Sequence, residues 1–133
     1  MAFPDPTATM ARLQHILETG SKWAETGDSP VTGCNCYGLI RFAFLDVGIA
    51  LPQDIWQAER LFQPIEPPYQ PWDVVLANFL PYQGARHLGL LLAPPSGYHI
   101  SSETNGLARF SVHHILWRRV IAHRWRYRAF LCA

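Results

Sequence analysis

The chain has 133 residues, and its 11 Lys plus Arg against 10 Asp plus Glu leave a formal charge of +1, which excludes the broad basic footprint a phosphate backbone demands. With 49% hydrophobic, 13% aromatic and 16% charged residues, it is also excluded from the disordered class. The length fits a single domain over 1–133, with residues 1–8 expected as a loose N-terminal arm.

In chain order, the first residues hold Pro4, Asp5 and Pro6 rather than a basic-then-apolar run, so no signal peptide is expected and synthesis in the cytoplasm is. No stretch approaches the roughly 20 apolar residues of a membrane span. Thr9 is placed to cap a first helix in which Met10, Leu13, Ile16 and Leu17, and by extension Trp23, recur at three-to-four-residue spacing, with Gly20 weakening its end. Residues 26–35, rich in Gly, Asp, Ser and Pro, predict a loop, followed by an apolar helix over 36–47 stopped by Gly48. Only Arg41 and Asp46 interrupt that helix's apolar run, so it is expected to be buried on most sides. A short helical piece over 54–62 precedes a connector with Pro64, Pro67, Pro68 and Pro71, where neither helix nor inner strand persists.

Beyond the connector, strand-like runs cover 73–79, 87–93, 98–102, 108–112 and 119–130, separated by turn residues such as Gly84, Pro94-Pro95, Gly97 and Asn105-Gly106. Helices first and strands afterwards predict an α+β fold: N-terminal helices packed on a mostly antiparallel sheet of about five or six strands. Arg118, Arg119, Arg124, Arg126 and Arg128 interleave with Trp117, Trp125 and Tyr127. Strand alternation, aromatics on one face and arginines in solvent, accounts for that run without a nucleic-acid partner.

Cys34, Cys36 and Cys132 are an odd count with two members only two apart, so no disulfide framework is expected. Cys36 stands where the glycine-containing loop enters the second helix, so its thiol is expected to face the free N–H groups and positive dipole of that helix, which favours the thiolate. His87 opens the apolar run His87-Leu88-Gly89-Leu90, and His99 follows after the Pro94-Pro95-Ser96-Gly97 turn. A hairpin there brings the two imidazoles together, and His99 can fix the tautomer of His87 so that its other nitrogen faces Cys36.

These residues carry a resemblance. Asn35-Cys36-Tyr37-Gly38-Leu39-Ile40 resembles the Asp-Cys-Ser-Gly-Leu-Val signature of NlpC-type cell-wall peptidases. Pro71-Trp72-Asp73-Val74-Val75-Leu76 is similar to that family's Pro-Gly-Asp-Leu-Val strand, His87-Leu88-Gly89-Leu90 to its His-Val-Gly-Ile strand, and His99 falls where its third polar residue belongs. The likeness runs over residues 9–130 and implies a papain-like fold and a thiol protease that hydrolyses peptidoglycan stem peptides at a D-γ-glutamyl-diamino acid type bond. In that reading Cys36 is the nucleophile, His87 the base, His99 its orienting partner and the Cys36 backbone N–H an oxyanion donor, while Trp23 and Tyr37 line the cleft. No cofactor is implied.

Tyr37 after the nucleophile resembles the phage tail-tip branch, which implies tail proteins as partners and carriage to the cell wall within a tail-like particle. Asn35 replaces the usual Asp; it keeps groups for capping the helix and removes a negative charge that opposes a thiolate. Two alternatives share the fold: an inactive tail-tip or assembly protein, motivated by Asn35, and a lipid-directed thiol acyltransferase. Cys34, Cys36, His87, His99, His113, His114 and His123 lack the paired spacing of a zinc site, so no metal is expected, and His113-His114 is expected at a helix start or in a strand.

Overall fold

The computed structural model describes residues 3–78 and 86–131; Phe79, Gly84 and Cys132 lie outside them. The elements are α1 (Thr7–Thr19), α2 (Cys36–Asp46), α3 (Ile55–Glu59), β1 (Phe62–Pro64), β2 (Val74–Asn78), β3 (Arg86–Ala93), β4 (Ser96–Ser101), β5 (Gly106–Ser111), α4 (Ile115–Val120) and β6 (Ile121–Tyr127), closed by a 3-10 turn at Arg128–Leu131. The strands form one six-stranded sheet in the order β1-β6-β2-β3-β4-β5, every described pairing antiparallel.

The first helix begins earlier than its hydrophobic spacing indicates. Asp5 Oδ1 accepts from the backbone N–H of Thr7 at 2.9 Å and from its hydroxyl at 2.6 Å, anchoring the helix start. Thr9, expected as the cap, is inside the helix and buried, and its hydroxyl donates to Asp46 Oδ2 at 2.7 Å at the far end of α2. The segment expected as a loose arm is anchored as well, because the indole N–H of Trp72 donates to the Pro4 carbonyl at 2.8 Å. Trp23 lies beyond α1, in an isolated bridge with Cys34.

α2 buries Leu39, Ile40, Ala43 and Phe44 but leaves Leu45 63% exposed. It is therefore buried along the face that meets the sheet rather than on most sides. Phe44 is the centre of an aromatic cluster, with ring centroids 5.3 Å from Trp72, 5.8 Å from Phe62 and 5.7 Å from Tyr127, each edge to face. The proline connector follows a short strand: β1 ends at Pro64, and because β1 is the sheet edge, pairing only with β6, the missing N–H interrupts no second ladder.

Two further departures lie at the C-terminal end. The run expected as one strand over 119–130 is instead the end of α4, then β6, then the 3-10 turn. The His114 side chain accepts from Leu116 N–H at 3.3 Å at the start of α4, and Trp117 buries the helix against β2. Six residues are less than two helical turns, too short for a helical period to stand out from strand alternation.

Successive strand residues alternate between the two sheet faces. Val74, Leu76, Leu88, Leu90 and Ile100 join the core formed with α1 and α2, whereas Val75, Ala77, Leu91 and Phe110 meet Trp117 of α4 on the other side. The β2–β6 junction is tied by a buried pair: Arg126 Nε donates to Asp73 Oδ1 at 2.8 Å and its Nη2 to Oδ2 at 2.9 Å.

Candidate active site

The site starts at the entry to α2. Asn35 Oδ1 accepts from Gly38 N–H at 2.8 Å and caps the helix, while Asn35 Nδ2 donates to the Glu25 carbonyl at 2.8 Å and fixes the preceding loop. Gly38 is required by that loop, since a Cβ there would stand 2.8 Å from the Cys34 Cβ and 2.9 Å from the Gly27 carbonyl oxygen.

As expected from sequence, the backbone N–H groups of Cys36 and Tyr37 at the helix start donate towards the Cys36 sulfur. A third donor was not legible in the sequence: the backbone N–H of Leu88 in β3. These donors pull the thiol pKa down, but burial dominates and the net shift is upward. The expectation of a favoured resting thiolate is thus corrected, because desolvation outweighs the helix dipole. Cys34 makes a useful contrast. Burial, followed by the charges of Cys36 and Asp28, pushes its thiol up to about 12.

The histidines come from the β3–β4 hairpin. Gly97 makes the tight approach possible, since a Cβ there would stand 2.1 Å from the Leu90 carbonyl oxygen. His87 Nε2 and His99 Nδ1 lie 2.8 Å apart, with rings nearly perpendicular at 81°. Both side chains are on the α4 face, beside Trp117, with centroids 5.9 Å and 5.2 Å away, and His99 also meets Phe110 at 5.6 Å. Burial lowers both imidazoles to about 4, so each is neutral at pH 7. Gly89, two residues after His87, leaves room for the Phe110 ring, whose Cζ would be 2.5 Å from a Cβ there.

Cys36 and the histidine pair thus reach β3 from opposite faces of the sheet. The registered β3–β4 pairs run from Leu90↔Tyr98 to Ala93↔Ser96 and stop before Leu88. The Leu88 N–H points to the Cys36 sulfur, which sets that sulfur against the peptide joining His87 to Leu88.

Of the two aromatic candidates, Tyr37 borders a cavity of about 340 Å³ that opens beside Cys36, and its hydroxyl donates to the Pro52 carbonyl. Trp23 is not among the residues bordering that cavity and packs against the α2-side core. His123, weighed from sequence only as a zinc ligand, and Trp56, not singled out there, both border it. The β2–β6 register, Leu76↔His123, puts His123 beside Leu76 on the cavity side, a relation that depends on strand pairing and leaves no local signal. Among the described residues no three or more His, Cys, Asp and Glu side chains gather to hold a metal ion.

No family model and no curated protein matches this chain. Solved structures do. It is similar to a "similar to lipoprotein, NLP/P60 family" protein from Staphylococcus aureus subsp. aureus Mu50, at 21% identity and a TM-score of 0.72, over 96% of this chain and 43% of that one. It is similar to the NlpC/p60 domain of the peptidoglycan hydrolase SagA, at 16% identity and a TM-score of 0.65, over 92% and 99% of the two chains. A third is the peptidoglycan hydrolase RipB from Mycobacterium tuberculosis, at 17% identity and a TM-score of 0.57, over 96% and 73%. The chain spans less than half the length of the Staphylococcus protein. The six-stranded antiparallel sheet with α2 against it, matched end to end with the SagA domain, is an NlpC/P60 fold.

Proposed function

We propose that the protein is a thiol hydrolase of the cell wall that cleaves amide bonds in peptidoglycan stem peptides, with Cys36 as nucleophile, His87 as base and His99 as positioning residue. The observation that carries this reading is the His87–His99 contact of 2.8 Å on the strand whose Leu88 N–H meets the Cys36 sulfur. Two of the similar structures are described as peptidoglycan hydrolases, which supports the substrate class.

With Nε2 of His87 committed to His99, Nδ1 is the nitrogen for the thiol proton. Both partners rest neutral, so proton transfer from Sγ to Nδ1 accompanies attack on the carbonyl carbon. The Nε2–H of the resulting imidazolium continues to donate to His99 Nδ1, and the backbone N–H of Cys36 receives the developing oxyanion. Collapse breaks the C–N bond; the amine leaves with the proton from His87, and water then hydrolyses the Cys36 thioester. The D-γ-glutamyl-diamino acid bond and delivery with tail proteins, which rest on the signature around Cys36 and on Tyr37, are part of this proposal.

Incubating wild-type and Cys36→Ala protein with isolated peptidoglycan and muropeptides, with mass spectrometry of the products, tests it. Release of stem-peptide fragments by the wild type alone is the expected result. No release from either protein, with Cys36 inert to iodoacetamide, favours the inactive tail-protein reading.

A further inference from the structure

The last part of the chain carries positive charge without an opposing acid. From Thr104 to Ala133 there is no Asp or Glu, while Arg109, Arg118, Arg119, Arg124, Arg126 and Arg128 all fall there. Their places in the fold differ. Arg126 is neutralised by Asp73, Arg128 Nε donates to the Arg60 carbonyl, and Arg109, opposite Tyr98 in the β4–β5 register, belongs to the α1 side of the sheet. Arg124 is opposite Val75 and therefore on the α4 side, where its Nε donates to the uncharged Tyr69 hydroxyl at 2.7 Å. Arg118 and Arg119 are exposed on α4, and among the described residues neither has an acidic partner.

α4 itself is held down by buried Trp117, with Val120 packed beside it. Its outer side presents Ile115, 55% exposed, and Leu116, 62% exposed. Three-residue spacing sets Ile115 beside Arg118 and Leu116 beside Arg119, so two aliphatic side chains and two guanidiniums form one exposed ridge. A soluble polyanion answers the charge of this ridge but leaves its aliphatic pair in water. An apolar protein partner covers the pair but desolvates the arginines without a counter-charge. An anionic bilayer answers both, because aliphatic side chains enter the acyl boundary while arginines keep their charge at the headgroup phosphates.

We infer that α4 docks this protein on an anionic lipid bilayer, with Ile115 and Leu116 entering the interface and Arg118, Arg119 and Arg124 facing the headgroups. The lipid is a surface here and not a substrate, and the inference is independent of any role for Cys36. α4 covers the sheet face opposite α2, whereas the groove beside Cys36 is bordered by residues of α2 and α3 on the other face. Docking through α4 therefore leaves that groove uncovered.

Co-sedimentation of the full chain with vesicles of mixed phosphatidylglycerol and phosphatidylcholine, against phosphatidylcholine alone, tests the surface. Binding to the anionic vesicles that weakens with added salt is expected. Arg118→Gln is expected to weaken it roughly fivefold, and Arg118→Gln with Arg119→Gln roughly twenty- to thirtyfold. Ile115→Ser with Leu116→Ser is expected to weaken it at least about fivefold. All four side chains are exposed, so thermal melts close to wild type separate lost binding from lost fold. Equal binding to both kinds of vesicle, or none to either at millimolar lipid, overturns the inference. Loss in the arginine variants with none in the Ile115→Ser, Leu116→Ser protein also overturns it and assigns the ridge to a soluble polyanion. A dimer in sedimentation velocity that the Ile115→Ser, Leu116→Ser change dissolves overturns it in favour of a second copy of this chain.

Discussion

At the scale of single residues, Asn35 shows what one side chain can settle. An Asp at this position keeps the Gly38 cap but has no N–H for the Glu25 carbonyl, so the loop before the nucleophile loses a bond of 2.8 Å. It also brings a negative charge next to a thiol that burial already pushes up. Asn35→Asp is therefore expected to slow iodoacetamide alkylation of Cys36 at pH 7 by roughly three- to tenfold, up to about one pKa unit, while Asn35→Ala loses about 1 kcal/mol of helix capping. Pseudo-first-order labelling rates and thermal melts read the two effects separately; an unaltered rate in Asn35→Asp removes the electrostatic argument. The cap was legible in the sequence because Asn35 stands directly before an apolar helical run. The Glu25 partner was not, since a loop decides which carbonyl folds back to it. The protonation of Cys36 was not legible either: the dipole is a local property, but the burial that overrides it is made by the whole core.

At the scale of elements, the Pro71–Leu76 segment read as a family signature has a structural reason. Asp73 is 0% exposed and takes both Arg126 bonds as well as the Gln70 N–H at 2.7 Å, so it holds the start of β2 against β6. Asp73→Ala strands Arg126 without its carboxylate and is expected to destabilise the fold by about 3 kcal/mol or more, read from the urea midpoint at unaltered m-value. Arg126→Met is expected to cost a similar amount, because it leaves the Asp73 charge buried. A loss under 1 kcal/mol in both variants would show that solvent relaxes around the pair. Trp72 next to it has φ 77, a left-handed conformation that favours glycine, the residue the family signature has there. Its indole is fully buried against Phe44, so packing outweighs that backbone strain. Order and type of the long elements could be read from periodicity. Short α4 could not, nor could the three-residue edge strand β1, whose Pro64 is acceptable only because of its place in the sheet.

At the scale of the molecule, the sheet separates two half-cores, and the candidate catalytic groups belong to its two sides: Cys36 comes from the α2 side, His87 and His99 from the α4 side. The imidazoles are therefore buried between strands and Trp117, and both are depressed from 6.5 to about 4. In the unfolded chain they titrate near 6.5, so between about pH 6.5 and 4 the unfolded state binds more protons than the folded one. Stability is then full above pH 6.5 and is lost as pH falls through this window, by at most about 1.4 kcal/mol per pH unit for each histidine. The interval from pH 6.5 to 5 isolates the effect, because ordinary carboxylates stay largely ionised there. Chemical denaturation at fixed pH is expected to give a constant free energy from pH 8 to 7, a decline from 6.5 to 5, and a shallower decline in His99→Asn, which removes one titrating group. The same depression keeps His87 available as a base at mildly acidic pH, so the acid limb of kcat/KM on muropeptides is expected to fall well below pH 6.5, towards 4, wherever the protein remains folded. An acid limb at 6.5 together with a flat stability profile would mean that the pair is hydrated in solution, and the neutral thiol–imidazole resting state would have to be abandoned.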